Sequence, residues 1–327
     1  MKVLVTGAAG FLGTRLVRAL LAGPAALPGV SRIVAADVAA CPVEDSRVDT
    51  RVGTIANPDF VRALLDGGVD IVYHLAAVLS GQAEAEFDLG IQVNVDATRT
   101  LLDACRRLHA PPRVIFSSTI AVFGGPLPDV IAEDMAPRPQ TSYGAEKVIG
   151  EVLVTEYSRR GFIDGIIGRL PTVAVRPGRP NSAMSSFVSG IIREPLAGID
   201  CVCPVPLDTR VWISSPDVVT TNLVHAAGLS SASLDVRRAV NFPGLSVTPA
   251  EMLESLERFG GPEARARVRC ELDPGVMRVV GTWPGAFDVS RSLSLGFQVD
   301  HDIDAIVRQF MVAQGDVVRP LGGVSSQ

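Results

Sequence analysis

"VTGAAGFLG", residues 5–13, is the stretch on which the fold turns. Its glycines, Gly7, Gly10 and Gly13, come directly after the strand-like run "KVLVTG" and open a helix-period segment, "FLGTRLVRALLAG". In that position the first glycine lets the chain reverse and the second lets backbone approach a pyrophosphate. The third lets helix pack closely on strand. The helix start then offers unpaired N–H groups and a partial positive charge to phosphates.

The segments that follow repeat the alternation. "RIVAADV", "NPDFVRALLDGG", "DIVYHLAA", "NVDATRTLLDACRRLH" and "RVIFSSTIAVFG" read in turn as strand, helix, strand, helix and strand. The strand-like pieces are apolar almost throughout, as expected when helices cover both faces of a sheet. This predicts an α/β fold, a doubly wound parallel sheet of Rossmann type with a smaller C-terminal substrate lobe. Residues 1–170 form the expected dinucleotide-binding domain and 171–327 mainly the substrate lobe, with roughly 211–243 returning to the core.

Past residue 170 the texture changes. "RLPTVAVRPGRPN" and "CVCPVPLDTR" are rich in proline and arginine and read as loops and short pieces. "RVWISSPDVVTTNLVHAAGL" reads as a strand or turn with a returning helix. In "AVNFPGLSVTPAEMLESLERFGG", Thr248 is an expected N-cap, with Pro249 at the first helical position and Glu251 completing a capping box. "FDVSRSLSLGFQVDHDIDAIVRQF" reads as two short helices, and residues 315–327 as a polar, glycine-containing tail.

The 327 residues are 47% hydrophobic and 20% charged, enough for a substantial core. A formal net charge of −5, with no basic run, argues against a nucleic-acid partner. Cys41, Cys105, Cys201, Cys203 and Cys270 are scattered, and the C-x-C at 201–203 has no second cysteine pair or histidine cluster near it. Buried thiols in a reducing compartment are expected, and no metal site. With a strand-like run starting at residue 2 and no apolar stretch of membrane-spanning length, a cytoplasmic protein without leader or membrane span is expected.

Asp37 ends the second strand, 24 residues beyond Gly13. A carboxylate there accepts hydrogen bonds from an adenosine ribose and repels a 2′-phosphate, which favours NAD over NADP. In "HLAA", residues 74–77, the small residues let a dinucleotide lie across the sheet edge, while His74 reads as a core histidine. "VIFSSTIAVFG", residues 114–124, ends a strand with three hydroxyl residues. "TSYGAEKVIGE", residues 141–151, then sets Tyr143 four positions before Lys147, on one helix face. An unperturbed phenol is roughly 0.1% ionised at pH 7, and a three-unit fall in its pKa needs about 4 kcal/mol. An ammonium about 4 Å away supplies roughly that at an effective dielectric of 20.

With these motifs in order, the chain resembles the extended branch of the short-chain dehydrogenase/reductase superfamily, the NAD-dependent epimerase/dehydratase group, over nearly its full length. The resemblance implies Tyr143 as acid/base, Lys147 as its ribose-binding assistant and Thr119 as the hydroxyl holding the reacting oxygen, with Ser118 the second choice. It also implies cofactor contacts from Gly7, Gly10, Phe11, Leu12, Gly13, Asp37, Leu75, Ala76, Ala77 and Asn94, besides Tyr143 and Lys147. Thr54 stands where many relatives carry an adenine-contacting aspartate, so that contact is unassigned. A homodimer through the helices near 95–109 and 143–160 is implied as well.

Two segments bear on the substrate, "VLSGQAEAEFDLGIQVNVDATRTLL" and "RLPTVAVRPGRPNSAMSSFVSGIIREPL". Both are similar to those of bacterial D-erythronate dehydrogenases, which implies oxidation of the 2-hydroxyl of a four-carbon sugar acid to a 2-oxo acid. Such a substrate needs a cation for its carboxylate and polar partners for its hydroxyls. Arg179 and Arg210 are the favoured cations, ahead of Arg176, with Ser80, Gln82, Asn181 and Ser182 as polar partners and Thr119 and Tyr143 at the reacting oxygen. The alternative is a nucleotide-sugar epimerase or dehydratase; the "N-[VL]-Y-G-P" pattern usual there is lacking. A non-enzymatic dinucleotide sensor is the third reading, against which stand the retained tyrosine and lysine.

Overall fold

The computed structural model describes residues 1–23, 27, 29–178, 185–234 and 236–315. Six strands appear in the first half: β1 (Lys2–Thr6), β2 (Arg32–Asp37), β3 (Val48–Val52), β4 (Ile71–His74), β5 (Arg113–Thr119) and β6 (Asp164–Leu170). Six shorter ones follow: β7 (Thr172–Val173), β8 (Cys201–Cys203), β9 (Val211–Ser214), β10 (Ala239–Asn241), β11 (Leu245–Val247) and β12 (Val268–Cys270). The central sheet has the order β10-β6-β5-β4-β1-β2-β3 and every pairing in it is parallel. The chain turns at β1, so the crevice at the C-terminal ends of β1 and β4 is the place where a doubly wound sheet takes a ligand.

The interior strands are buried along almost their whole length, and the core splits into a layer on each sheet face. One layer joins Val3, Val5, Leu16, Leu20, Ile33 and Leu223; the other joins Leu4, Val34, Val72, Leu101, Phe116 and Ile167. Successive strand residues face opposite ways, which is why Val3 and Leu4 belong to different layers. β3 is absent from the sequence reading because it is a polar edge, "VDTR" and a valine. Asp49 and Arg51 pair with each other, and Arg32 joins Asp49, a charged margin that discourages further strand pairing.

The second lobe has its own core around Val188, Ile191, Ile192, Met252, Leu256 and Val307. Ser186–Leu196, a stretch to which the sequence motifs assign no element, is a helix. Its buried Val188, Ile191, Ile192 and Pro195 keep helical spacing, and Pro195 falls only at the final turn. Likewise "SGQAEAEFDLG" folds into two short helices, Ser80–Ala85 and Phe87–Gly90, leading into a π-helix, Ile91–Asp96. The capping box at Thr248 forms in full, and the two late helices are Ser290–Ser294 and Ile303–Ala313. The helix Pro216–Gly228 packs on the helix Phe11–Leu21, and β10 extends the main sheet. β9 instead joins β7 and β11 in a small sheet of the second lobe. Among the described residues no helix is long and apolar enough to cross a membrane.

Candidate active site

A cavity of about 890 Å³ runs from the glycine turn, across the C-terminal ends of β1, β4 and β5, to the second lobe. It is within the range of small-molecule sites. At its first end the turn after β1 is as tight as its glycines permit. Gly7 has φ +74°, and a Cβ there would lie 2.7 Å from the Ala76 nitrogen. A Cβ on Gly13 would lie 2.0 Å from the Gly7 carbonyl oxygen. Gly10 is the N-cap of the helix Phe11–Leu21 and no side chain caps it, so the helix's first N–H groups face the cavity uncovered by side chains. Those features suit a dinucleotide's pyrophosphate.

Asp37 lines the same end. Its Oδ2 accepts from Ala9 N–H at 2.9 Å and its Oδ1 from Val38 N–H at 2.6 Å. A carboxylate offers about four lone-pair sites, so acceptor capacity remains for ribose hydroxyls. Thr54 also lines the cavity, but its hydroxyl accepts from Ala56 N–H in a local turn. Leu75, Ala76 and Ala77 form the floor.

His74 belongs to the support beneath that floor. Thr98 Oγ1 donates to the Asn94 carbonyl at 2.7 Å, so it receives the His74 Nε2 proton at 2.9 Å. Nδ1 is then the acceptor for Thr6 Oγ1 at 2.8 Å. The ring is fully buried, and desolvation, with the Lys147 charge nearby, pushes its pKa down to about 3. Asn94 lies behind the cavity wall. Its Oδ1 accepts from Val78 N–H at 2.8 Å, while its Nδ2 donates to the Val78 carbonyl at 3.0 Å and to Glu146 Oε2 at 2.6 Å. It thus holds the loop after β4 against the tyrosine helix.

Tyr143 stands in the first turn of the helix Ser142–Arg159 and lines the cavity with Ser117, Ser118 and Thr119 from the end of β5. Thr141 caps that helix through Gly144 N–H, and Glu84 accepts from Ser142 N–H at 3.0 Å. Lys147 lies one turn deeper, 2% exposed, with Nζ 4.7 Å from the Phe116 ring centroid and 5.8 Å from that of Tyr143. The electrostatics differ from the sequence expectation. Burial, with the Glu146 carboxyl adding to it, raises the Tyr143 phenol above its ordinary value, and burial pulls Lys147 down to about 8. Burial and the neighbouring carboxylate both disfavour the anion, so the phenol of the free protein keeps its proton at neutral pH.

At the far end, Ser80 and Gln82 line the cavity, and Gln82 also donates to Glu86. Arg210 does not line it: the residue is exposed, with its Cβ 2.5 Å from where a Cβ on Gly285 would stand. Among the described residues the cation in the wall is Arg176, beside Ser185 and Trp283. Burial, then the neighbouring Arg193, lowers the Arg176 pKa from its ordinary value. Arg179, Asn181 and Ser182 lie outside the described residues. Trp283 and Ser185 escaped the sequence reading. "TWPG" carries no local signal, and only the packing of the second lobe brings its indole to the cavity.

The chain matches the NAD dependent epimerase/dehydratase family over residues 3–232. It is 49% identical to the D-erythronate dehydrogenase of Cupriavidus necator, across 96% of this chain and 99% of that protein. It is 42% identical to the D-erythronate dehydrogenase of Haemophilus influenzae, across 95% and 99%. Among solved structures, the nucleoside-diphosphate-sugar epimerase from Agrobacterium tumefaciens superposes with a TM-score of 0.92 at 38% identity, covering 98% of this chain and 96% of that one.

Proposed function

The chain belongs to the NAD dependent epimerase/dehydratase family, and from that premise we propose that it is an NAD-dependent dehydrogenase of D-erythronate. The reaction oxidises the 2-hydroxyl to a 2-oxo group and yields NADH and a proton. The observation that carries this reading is the 49% identity, spread over 99% of a D-erythronate dehydrogenase, in a chain whose cavity holds Tyr143 beside a strand end of hydroxyls.

The glycine turn and the uncapped helix start fit the pyrophosphate, and Asp37 fits an unphosphorylated ribose, which favours NAD over NADP. When bound, the nicotinamide supplies the hydride acceptor and, in its oxidised form, a positive charge. Tyr143 takes the proton of the substrate hydroxyl as the hydride leaves the same carbon, and Lys147 gives the phenolate a nearby cation. Thr119 orients the reacting oxygen. Arg176, a cation of the cavity wall, pairs with the substrate carboxylate. Ser80 and Gln82 meet the remaining hydroxyls.

A homodimer through the helices near 95–109 and 143–160 accompanies this reading, supported by the exposed Ile149 and Val152 on the tyrosine helix. So does a cytoplasmic location, supported by five cysteines without a disulfide. The test is a panel: purified protein with NAD or NADP and D-erythronate, L-erythronate, threonates or UDP-sugars. Net NADH from D-erythronate with NAD is the expected result. Conversion of a UDP-sugar without net NADH would instead establish an epimerase or dehydratase; the Agrobacterium protein is named a nucleoside-diphosphate-sugar epimerase.

A further inference from the structure

The helix Ser142–Arg159 carries a third functional group on the face of Tyr143 and Lys147. Glu151 is four residues beyond the lysine, hence one turn along the same face, and is buried. Its Oε1 accepts from Ser118 Oγ at 2.5 Å and Arg169 Nε at 2.9 Å, and its Oε2 accepts from Arg169 Nη2 at 2.7 Å. Arg169, on β6, is buried too, with its guanidinium 4.9 Å from the Phe123 ring centroid and Nη1 donating to Asn241 Oδ1 at 3.4 Å. Every bond that reaches Glu151 comes from a donor, the pattern of a carboxylate anion. A buried pair of this kind is costly to desolvate, and apolar residues of similar volume commonly pack as well. Stability therefore gives no reason for its presence beside the lysine.

Lys147 supplies a reason. It is an ammonium held where burial opposes its charge, so it needs an anion that stays put. The titratable groups around it are Tyr143, Glu146 and Glu151 on its own helix and His74 from β4, with Arg169 from β6 behind Glu151 and Glu84 facing Glu146. Glu146 acts on Lys147 more strongly than Glu151 does, yet burial raises its own carboxyl, and among the described residues its Oε1 has no hydrogen-bond partner. Glu151 is clamped on both oxygens.

We propose that Glu151, fixed by Arg169, is a positioning residue that serves as the standing counter-ion of Lys147 and also takes up the only proton of Ser118. The consequence for the strand end is a division of labour. Ser118 has no proton left to give a substrate, whereas Thr119 Oγ1 only accepts among the described residues, from Ala121 N–H at 3.1 Å, and keeps its proton for the reacting oxygen.

The inference rests on the reading that Lys147 works beside Tyr143, but its measurement needs no substrate. The chain has only two lysines, Lys2 and Lys147. Protein labelled with ¹³C at lysine Cε therefore shows two titrating signals, assigned with Lys2→Arg. In Glu151→Gln the Lys147 midpoint is expected to fall by about one pH unit or more, with Lys2 unmoved. Should the stranded guanidinium unfold that variant, Glu151→Gln combined with Arg169→Met removes it and is expected to show a smaller fall in the same direction. An unchanged Lys147 midpoint overturns the assignment.

Activity gives a second readout, which packing alone would not move. The alkaline limb of kcat/KM shifts down with the Lys147 midpoint, and Glu151→Asp restores part of both. Thr119→Ala is expected to slow turnover more than tenfold and by more than Ser118→Ala does; the reverse order refutes the division of labour. If the natural protein oxidised no sugar acid, the substrate reading would fall while the lysine titration still decided this one.

Discussion

The phenol of Tyr143 and the ammonium of Lys147 meet the same obstacle, since each must carry charge where burial opposes it. The sequence spacing makes them neighbours on a helix; the packing around them sets the cost. In the free protein burial and the Glu146 carboxyl hold the phenol above its ordinary value, a cost that a positive charge entering the cavity would offset. Tyr143→Phe keeps the ring and removes the proton carrier. It is expected to bind NAD with unchanged affinity by calorimetry and to turn over at least about a hundredfold more slowly. A rate near that of the natural protein would show that another group moves the proton. Ser118 illustrates what residue type alone leaves open. It and Thr119 read alike as hydroxyls; the family resemblance puts Thr119 first, and the Glu151 contact of Ser118 supplies a physical difference between them.

Between elements, the recurring device is a buried polar residue that ties one segment's backbone to another. Thr6 on β1, His74 on β4 and Thr98 on the helix Ala97–Cys105 form one such chain, and Asn94 bridges the loop after β4 to Glu146. This gives His74 a definite effect on stability. Its pKa falls to about 3 in the folded chain against about 6.5 when unfolded. Below the unfolded value the unfolded state binds the extra proton, so the contribution is whole above about pH 6.5 and is lost progressively as pH drops towards the folded value. Thermal melts of the natural protein should lose ground from about pH 6.5 downward, by a few kcal/mol at the acid end. His74→Gln should melt lower at pH 8 but depend less on pH between 4 and 6.5. Parallel melting curves for the two proteins would show that another group carries the acid sensitivity.

Across the whole molecule, the cavity joins two separately cored lobes. The dinucleotide end belongs wholly to the parallel sheet, and its glycines, Asp37 and small floor residues are all within the first 77 positions. The substrate end draws Arg176, Ser185 and Trp283 from the second lobe, where the chain is rich in short strands and turns. Arg176→Ala is expected to raise KM for the sugar acid tenfold or more, the usual cost of losing a charge-assisted bond. NAD binding should be unaffected, and Arg210→Ala should change neither constant. A normal KM in the Arg176 variant would place the carboxylate elsewhere.

The alternation of strands and helices in the first half (β3 apart), the parallel sheet, the glycine turn and the Tyr143–Lys147 spacing were legible in the sequence, because each leaves a local pattern of residue type and spacing. Local steric rules and hydrophobic period act at that range, so they leave a readable trace. The choice of Arg176 over Arg210 at the wall, the arrival of Trp283, the helix at Ser186–Leu196 and the pairing of Ser118 with Glu151 were decided by tertiary structure. Exposure, desolvation and a hydrogen-bond partner dozens of residues away are properties of a side chain's surroundings, and those exist only once the lobes have packed.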